Sequence, residues 1–152
     1  SFRVAMRYLA NHHDTEDVLS VSYTRIFKNI KHFENRGEGS FQKWINTIVI
    51  NESIRFLKSK KALLFQEDED LLTMNVSFPD SSDLLDAEEV SQVVESMPKG
   101  YRTVFNLFAI EGYSHKEIAE MLQINENTSK SQLSKARNYI ILKLKKSSHA
   151  LK

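Results

Sequence analysis

Apolar residues recur along this chain at intervals of three and four, the spacing of one helical face. The run Asp14-Thr15-Glu16-Asp17 reads as a helix start. Asp14 can cap free amides there, and Glu16 and Asp17 suit the positive end of the helix dipole. Behind it Leu19, Tyr23, Ile26, Phe27 and Ile30 fall on a single face. The stretch Asn35-Arg36-Gly37-Glu38-Gly39 interrupts the pattern. It resumes with Phe41, Trp44, Ile45 and Ile48, a second helix expected to run past Arg55 to Lys58. A helical fragment from Val4 to Leu9 precedes both, so the first half of the chain is predicted to be a small helical unit.

Residues 66–86 lose this period; Glu67-Asp68-Glu69-Asp70 and Ser77-Phe78-Pro79-Asp80-Ser81-Ser82-Asp83 have the chemistry of a linker. A calcium loop would need spaced oxygen ligands around a central Gly, which the acidic run lacks. The period returns from Leu84 to Met97, and Pro98 suits the first turn of the next helix. That helix carries Val104, Leu107 and Phe108 and ends in the turn Glu111-Gly112-Tyr113. Ser114-His115-Lys116-Glu117 has the pattern of a capping box, opening a short helix that buries Ile118, Ala119 and Leu122. Gln123-Ile124-Asn125 links it to a last helix, from Glu126 to Lys145, whose inner stripe is Ser129, Leu133, Ala136 and Ile140.

A short capped helix, a tight link and a longer helix describe a helix-turn-helix. The other face of the long helix offers Lys130, Ser131, Gln132, Ser134, Lys135, Arg137 and Asn138, groups that reach base edges and phosphates in a major groove. The same pattern also fits a plain pair of helices with a solvated basic face.

Composition narrows the class. The chain has 152 residues, 41% hydrophobic and 27% charged, enough apolar content for one domain or two small ones. Gly (4) and Pro (2) are scarce, which disfavours turn-rich β folds and Gly-rich phosphate loops. With no Cys, disulfide scaffolds, thiolate metal sites and Cys nucleophiles are excluded. No apolar run is long enough to cross a bilayer, and the first residues lack the apolar core of a secretion signal, so a cytoplasmic location without membrane insertion is expected.

Net charge is +1, but its distribution is uneven: +5 over residues 1–65, −9 over 66–89, −2 over 90–127 and +7 over 128–152. Two basic lobes around an acidic stretch suggest two polyanion-facing surfaces, or ordinary surface charge that happens to cluster. An enzyme is not expected. His12 and His13 are adjacent, His32, His115 and His149 lie in separate elements, and no Ser sits in a Gly-flanked elbow. No metal or other cofactor is implied.

At residue level the chain resembles a bacterial RNA polymerase sigma factor of the extracytoplasmic-function (ECF) type, within the sigma-70 family. Asp14-Thr15-Glu16-Asp17-Val18-Leu19, Phe33, Gly39, Phe41, Trp44-Ile45, Ile48, Asn51 and Arg55 follow the region 2 pattern. Met97-Pro98, Tyr101-Arg102, Val104-Phe105, Glu111-Gly112-Tyr113-Ser114, Glu117-Ile118-Ala119, Leu122 and Lys130 to Arg137 follow region 4. Both motifs occur in this order at this separation.

The resemblance implies an all-α fold of two small helical domains: a region 2 bundle over residues 1–62, an acidic flexible linker over 63–88, and a region 4 helix-turn-helix over 89–152. It implies a factor that binds core RNA polymerase and directs promoter-specific initiation. The alternative is a conventional helix-turn-helix regulator that binds DNA without polymerase. Implied partners are the β′ clamp helices and β flap of the polymerase, promoter DNA and an anti-sigma factor. Carried over by position, Glu16, Asp17, Ser20 and Tyr23 face core polymerase. Ser40, Phe41, Lys43, Trp44, Asn51 and Arg55 face the minus-ten element, where a melted strand offers base faces for stacking and phosphates for cations. Core packing is the competing role for Phe41 and Trp44. Asn127, Lys130, Ser131, Gln132, Ser134, Lys135 and Arg137 face the minus-thirty-five element. The family's Gln-Glu after the acidic helix start is here Ser20-Val21, the usual Gly of the turn is Gln123, and Gln132 stands where Arg is frequent, which favours adenine over guanine.

Overall fold

The computed structural model describes residues 1–63, Phe65 and residues 87–150, the last four by backbone alone. The chain divides into two compact units, Ser1–Leu63 and Leu64–Lys152. Every regular element among the described residues is helical, as the all-α expectation requires. The acidic stretch read as a linker lies outside the described residues, apart from Leu63, Phe65, Ala87 and Glu88.

The first unit comprises α1 (Phe2–Leu9), α2 (His12–Asn29), a 3₁₀ turn (Ile30–His32) and α3 (Ser40–Ser59). Each helix packs on the other two. Ala10, left-handed at φ 48°, ends α1, and its amide donates to the Met6 carbonyl at 2.9 Å. The cap of α2 is Asn11, not Asp14: Asn11 Oδ1 accepts from the Asp14 amide at 2.9 Å, so the helix starts earlier and Asp14 lies in its first turn.

The interior stripe of α2 is Thr15, Val18, Leu19, Ser22 and Ile26. Thr15 and Ser22 are fully enclosed, with hydroxyls donating to the Asn11 and Val18 carbonyls at 2.7 Å each. Small side chains there let neighbouring helices approach closely. Tyr23, Phe27 and Ile30 consequently leave the core and are 45%, 74% and 44% exposed. Tyr23 and Phe27 each sit one residue beyond an interior position, a rotation of about 100° around the helix, and Ile30 already lies in the 3₁₀ turn. On α3 the burial is deepest at Val49, Ile50, Ser53, Ile54 and Leu57, toward its C-terminal half, while Trp44, Ile45 and Ile48 are half-buried and Phe41 is exposed.

The second unit comprises α4 (Ala87–Ser96), α5 (Lys99–Phe105) extended by a wider π turn (Asn106–Ile110), α6 (His115–Leu122) and α7 (Glu126–Ala150). Val94, Met97, Ala136 and Ile140 form a core that joins α4 to α7, with Val90, Val93, Tyr101, Phe105, Tyr139 and Leu144 packed around it. The Tyr139 hydroxyl donates to the Ser96 carbonyl at 3.0 Å. Arg102 is buried, and desolvation lowers its pKa, opposed by Glu95. Its Nη1 donates to the Glu95 carbonyl at 2.7 Å and the Met97 carbonyl at 3.4 Å, satisfying acceptors that the end of α4 would otherwise leave open. The stripes predicted for α6 and α7 are buried: Ile118, Ala119 and Leu122 on one, Ser129, Leu133, Ala136 and Ile140 on the other.

Candidate nucleic-acid and protein interfaces

The hairpin of α6 and α7 is set by local chemistry. Ser114 Oγ accepts from the Glu117 amide at 3.1 Å while Glu117 Oε2 accepts from the Ser114 amide at 2.7 Å, a complete capping box. Gln123 ends α6 in the left-handed conformation at φ 57°. Asn125 Oδ1 accepts from the Thr128 amide at 2.7 Å and opens α7. A side-chain bond ties the helices together: His115 Nδ1 lies 2.8 Å from Ser129 Oγ, and the imidazole stacks on Phe108 at 4.5 Å and 18°. Desolvation lowers the His115 pKa first, and the charges of Lys130 and Arg137 lower it further against the opposing pull of Glu126. The Arg137 guanidinium lies 6.0 Å from the centre of the Phe108 ring.

The exposed stripe of α7 is Asn127, Lys130, Ser134 and Arg137. Ten helical rises from Asn127 to Arg137 spread these groups over about 15 Å, with no acid among them. Ser131 is half-buried and donates to the Thr128 carbonyl at 3.0 Å. Gln132 and Lys135 depart from expectation, being only 2% and 6% exposed. The buried face of α7 is wider than the single stripe the spacing suggested, because Thr128, Gln132 and Lys135 add a second row to it. A Cβ placed on Gly100 of α5 would lie 3.1 Å from Gln132 Oε1 and 3.4 Å from Phe65, so Gln132 is enclosed on that side and is not presented for base reading.

In the first unit, the loop before α3 depends on Gly37 and Gly39, at φ 109° and 76°. Ser40 Oγ serves that loop, accepting from the Arg36 amide and lying 3.2 Å from Asn35 Oδ1. Phe33, Phe41 and Trp44 form an aromatic cluster with ring centres 5.1–6.0 Å apart. Two open clefts meet at Trp44 and His32. The larger, about 810 Å³, is also lined by Phe33, Arg36, Ser40 and Lys43. The smaller, about 340 Å³, is lined by Arg25, Asn29, Asn51, Glu52 and Arg55 besides the shared pair. Trp44 packs on Phe33 and also lines both clefts. Phe41 lines neither and stacks on Trp44, 44% exposed.

Arg25, Asn29 and His32 were not foreseen in this site. Their i, i+4, i+7 spacing continues the line of buried Val18 and Ser22 along α2 toward α3, so a polar row extending an interior line is the signal the sequence offers. Glu16, Asp17, Ser20 and Tyr23 are all exposed on α2. Glu16 and Asp17 pair with His12 and His13 one turn earlier, at 3.5 Å each. Phe27 and Ile30, expected in the core, instead extend the Tyr23 surface. Among the described residues no group of three or more His, Asp or Glu could hold a metal ion, and no helix is long and apolar enough to cross a membrane.

A family model described as Sigma-70 region 2 matches residues 2–63, and one described as Sigma-70, region 4 matches residues 87–140. The chain is 24% identical over 144 residues to the ECF RNA polymerase sigma factor SigE of Mycolicibacterium smegmatis, covering 91% of this chain and 55% of that protein. It is 24% identical over 145 residues to RNA polymerase sigma factor SigV of Bacillus subtilis, covering 95% and 84%. It is 27% identical over 146 residues to the ECF RNA polymerase sigma-E factor of Haemophilus influenzae, covering 88% and 76%. A co-crystal structure of the sigma factor RpoE with the anti-sigma factor NepR from Bartonella quintana shares the fold, with a TM-score of 0.57 at 21% identity over 95% of this chain and 89% of that one.

Proposed function

We propose a division of labour from one premise: the chain belongs to the sigma-70 family of RNA polymerase sigma factors and is of the ECF type. It binds core RNA polymerase and directs transcription initiation at particular promoters. The observation that carries this reading is the presence of a region 2 unit and a region 4 unit in one chain, in that order. Sigma factors are initiation factors and not enzymes, and work beside polymerase in the cytoplasm.

The exposed groups of α7, Asn127, Lys130, Ser134 and Arg137 with Ser131 at their edge, meet the minus-thirty-five duplex. Charge, reach and the absence of acid on this stripe support that assignment. The two clefts of the first unit receive the minus-ten strand once it separates. Phe41 and Trp44 offer ring faces, Asn51 an amide, and Lys43 and Arg55 cations for phosphates, with Ser40 shaping the loop. The α2 surface of Glu16, Asp17, Ser20 and Tyr23 docks on core polymerase at the β′ clamp helices, while the second unit meets the β flap. An anti-sigma factor is a further partner, supported by the RpoE relative crystallised with NepR.

Run-off transcription with purified core polymerase and a promoter library tests the reading. Promoter-dependent transcripts that require the added chain are expected. Absence of any complex with core polymerase, or tight duplex binding by the chain alone, would overturn it.

A further inference from the structure

Glu52 projects from the middle of α3 and is only 7% exposed, in a helix that otherwise buries Ile, Val, Leu and Ser. A buried carboxylate is tolerated where cations compensate it, and an apolar residue of similar volume is often at least as stabilising. Glu52 has two such cations. Arg25 Nε of α2 lies 2.6 Å from Glu52 Oε1, and Arg55 Nη1, one turn along α3, lies 3.5 Å from the same oxygen. The arginine side chains are 45% and 61% exposed against 8% for the carboxylate, so the charge is held inside while its partners face outward.

All three residues line the smaller cleft with Trp44, Asn51, Asn29 and His32. One carboxylate between two guanidinium groups leaves the rim net cationic. Each guanidinium has five N–H donors and spends few of them on Glu52, so donors remain for a phosphate. We propose that Glu52 is a positioning residue for strand capture: it fixes Arg25 and Arg55 side by side so that they grip a phosphodiester of the separated strand whose base faces Trp44. Arg25, placed on the polymerase-docking helix, thereby joins the DNA site. This rests on the minus-ten reading above and adds a residue that acts without touching DNA.

The test uses the full chain assembled with core polymerase, on a promoter recovered from a randomised library. It reads affinity for core polymerase, affinity for the still-paired promoter in the cold, and the rate of strand opening followed by 2-aminopurine fluorescence in the minus-ten element. Glu52→Gln is expected to leave both affinities within about twofold. It is expected to slow opening about tenfold, the size of one or two misplaced charge-assisted hydrogen bonds. Glu52→Asp, which keeps the charge, recovers part of that rate. Arg25→Ala slows opening in the wild-type background but changes it by less than about twofold once Glu52→Gln is present.

Unchanged opening in Glu52→Gln, multiplicative losses in the double variant, or a parallel fall of all three quantities with melting temperature would overturn the positioning role. If Glu52→Gln does not fold, Arg25→Ala and Arg55→Ala decide it: losses smaller than their product support a shared anchor, and independent losses refute one. Asn51→Ala and Lys43→Ala test the minus-ten reading alone. Slowed opening in these with normal opening in Glu52→Gln overturns only the role of Glu52. Normal opening in all of them overturns both readings.

Discussion

Gln132 encloses an amide whose Oε1 finds no hydrogen-bond partner among the described residues, a cost that an apolar side chain of the same length would remove. Gln132→Met should therefore raise stability by about 1 kcal/mol in chemical denaturation. It should also leave affinity for a promoter duplex unchanged, whereas a base-reading Gln would lose affinity. His115 supplies the pH dependence at this scale. Its pKa lies below the usual 6.5, because burial and then Lys130 and Arg137 disfavour its charged form. Well above pH 6.5 both folded and unfolded chains carry it neutral, and the stability it allows is fully present. As pH falls below that, the unfolded chain takes the proton first and stability is lost. Protection of α6 and α7, after correction for the intrinsic slowing of amide exchange at lower pH, should therefore fall as pH drops through 6.5, and His115→Phe should blunt the change. Spacing alone could show that His115 follows a capping Ser; it could not show the ring stacked on Phe108, because that contact depends on the π turn that brings Phe108 round.

Among the elements, the helices were legible wherever local signals agreed. The Ser114–Glu117 box and the stripes of α6 and α7 are settled by residues within a few positions of each other. The α2 face was misjudged, since Tyr23, Phe27 and Ile30 have helical spacing yet Thr15 and Ser22 occupy the interior. Hydrophobicity alone does not reveal that close helix packing selects small residues over large ones. The link between α6 and α7 contains a residue under strain: Gln123 holds φ 57°, which costs an L side chain about 1 kcal/mol or more. Gln123→Gly should stabilise the chain by about 0.5–1 kcal/mol in a denaturant titration, the gain limited by the greater freedom of unfolded Gly. For α7 itself, Lys130→Ala and Arg137→Ala should each weaken promoter binding and reduce the salt slope by about one, measured by anisotropy over a salt series. Unchanged slopes in both would remove this stripe from the interface.

At the scale of the whole molecule, the order of the two units and the charge of each lobe were visible in the sequence. The smaller cleft was not, because its lining comes from two successive helices and the turn between them, and only their packing brings it together. Assembly with polymerase should depend on the apolar side of α2. Phe27→Ser should weaken holoenzyme formation by about tenfold in a competition assay, as expected for removing an exposed aromatic anchor. The same substitution should leave the melting temperature nearly unchanged, since Phe27 is 74% exposed. That uncovered aromatic strip has a consequence for how the chain lets go of its two attachments. On the proposed assignment, phosphate contacts through α7 would release counterions and fade steeply as ionic strength rises, whereas the apolar part of the docking surface, Tyr23 and Phe27, would be screened little and strengthened by excluded salts such as sulfate. A salt gradient should therefore elute the promoter while the chain is still seated on polymerase, giving this one polypeptide two grips that detach in a fixed sequence.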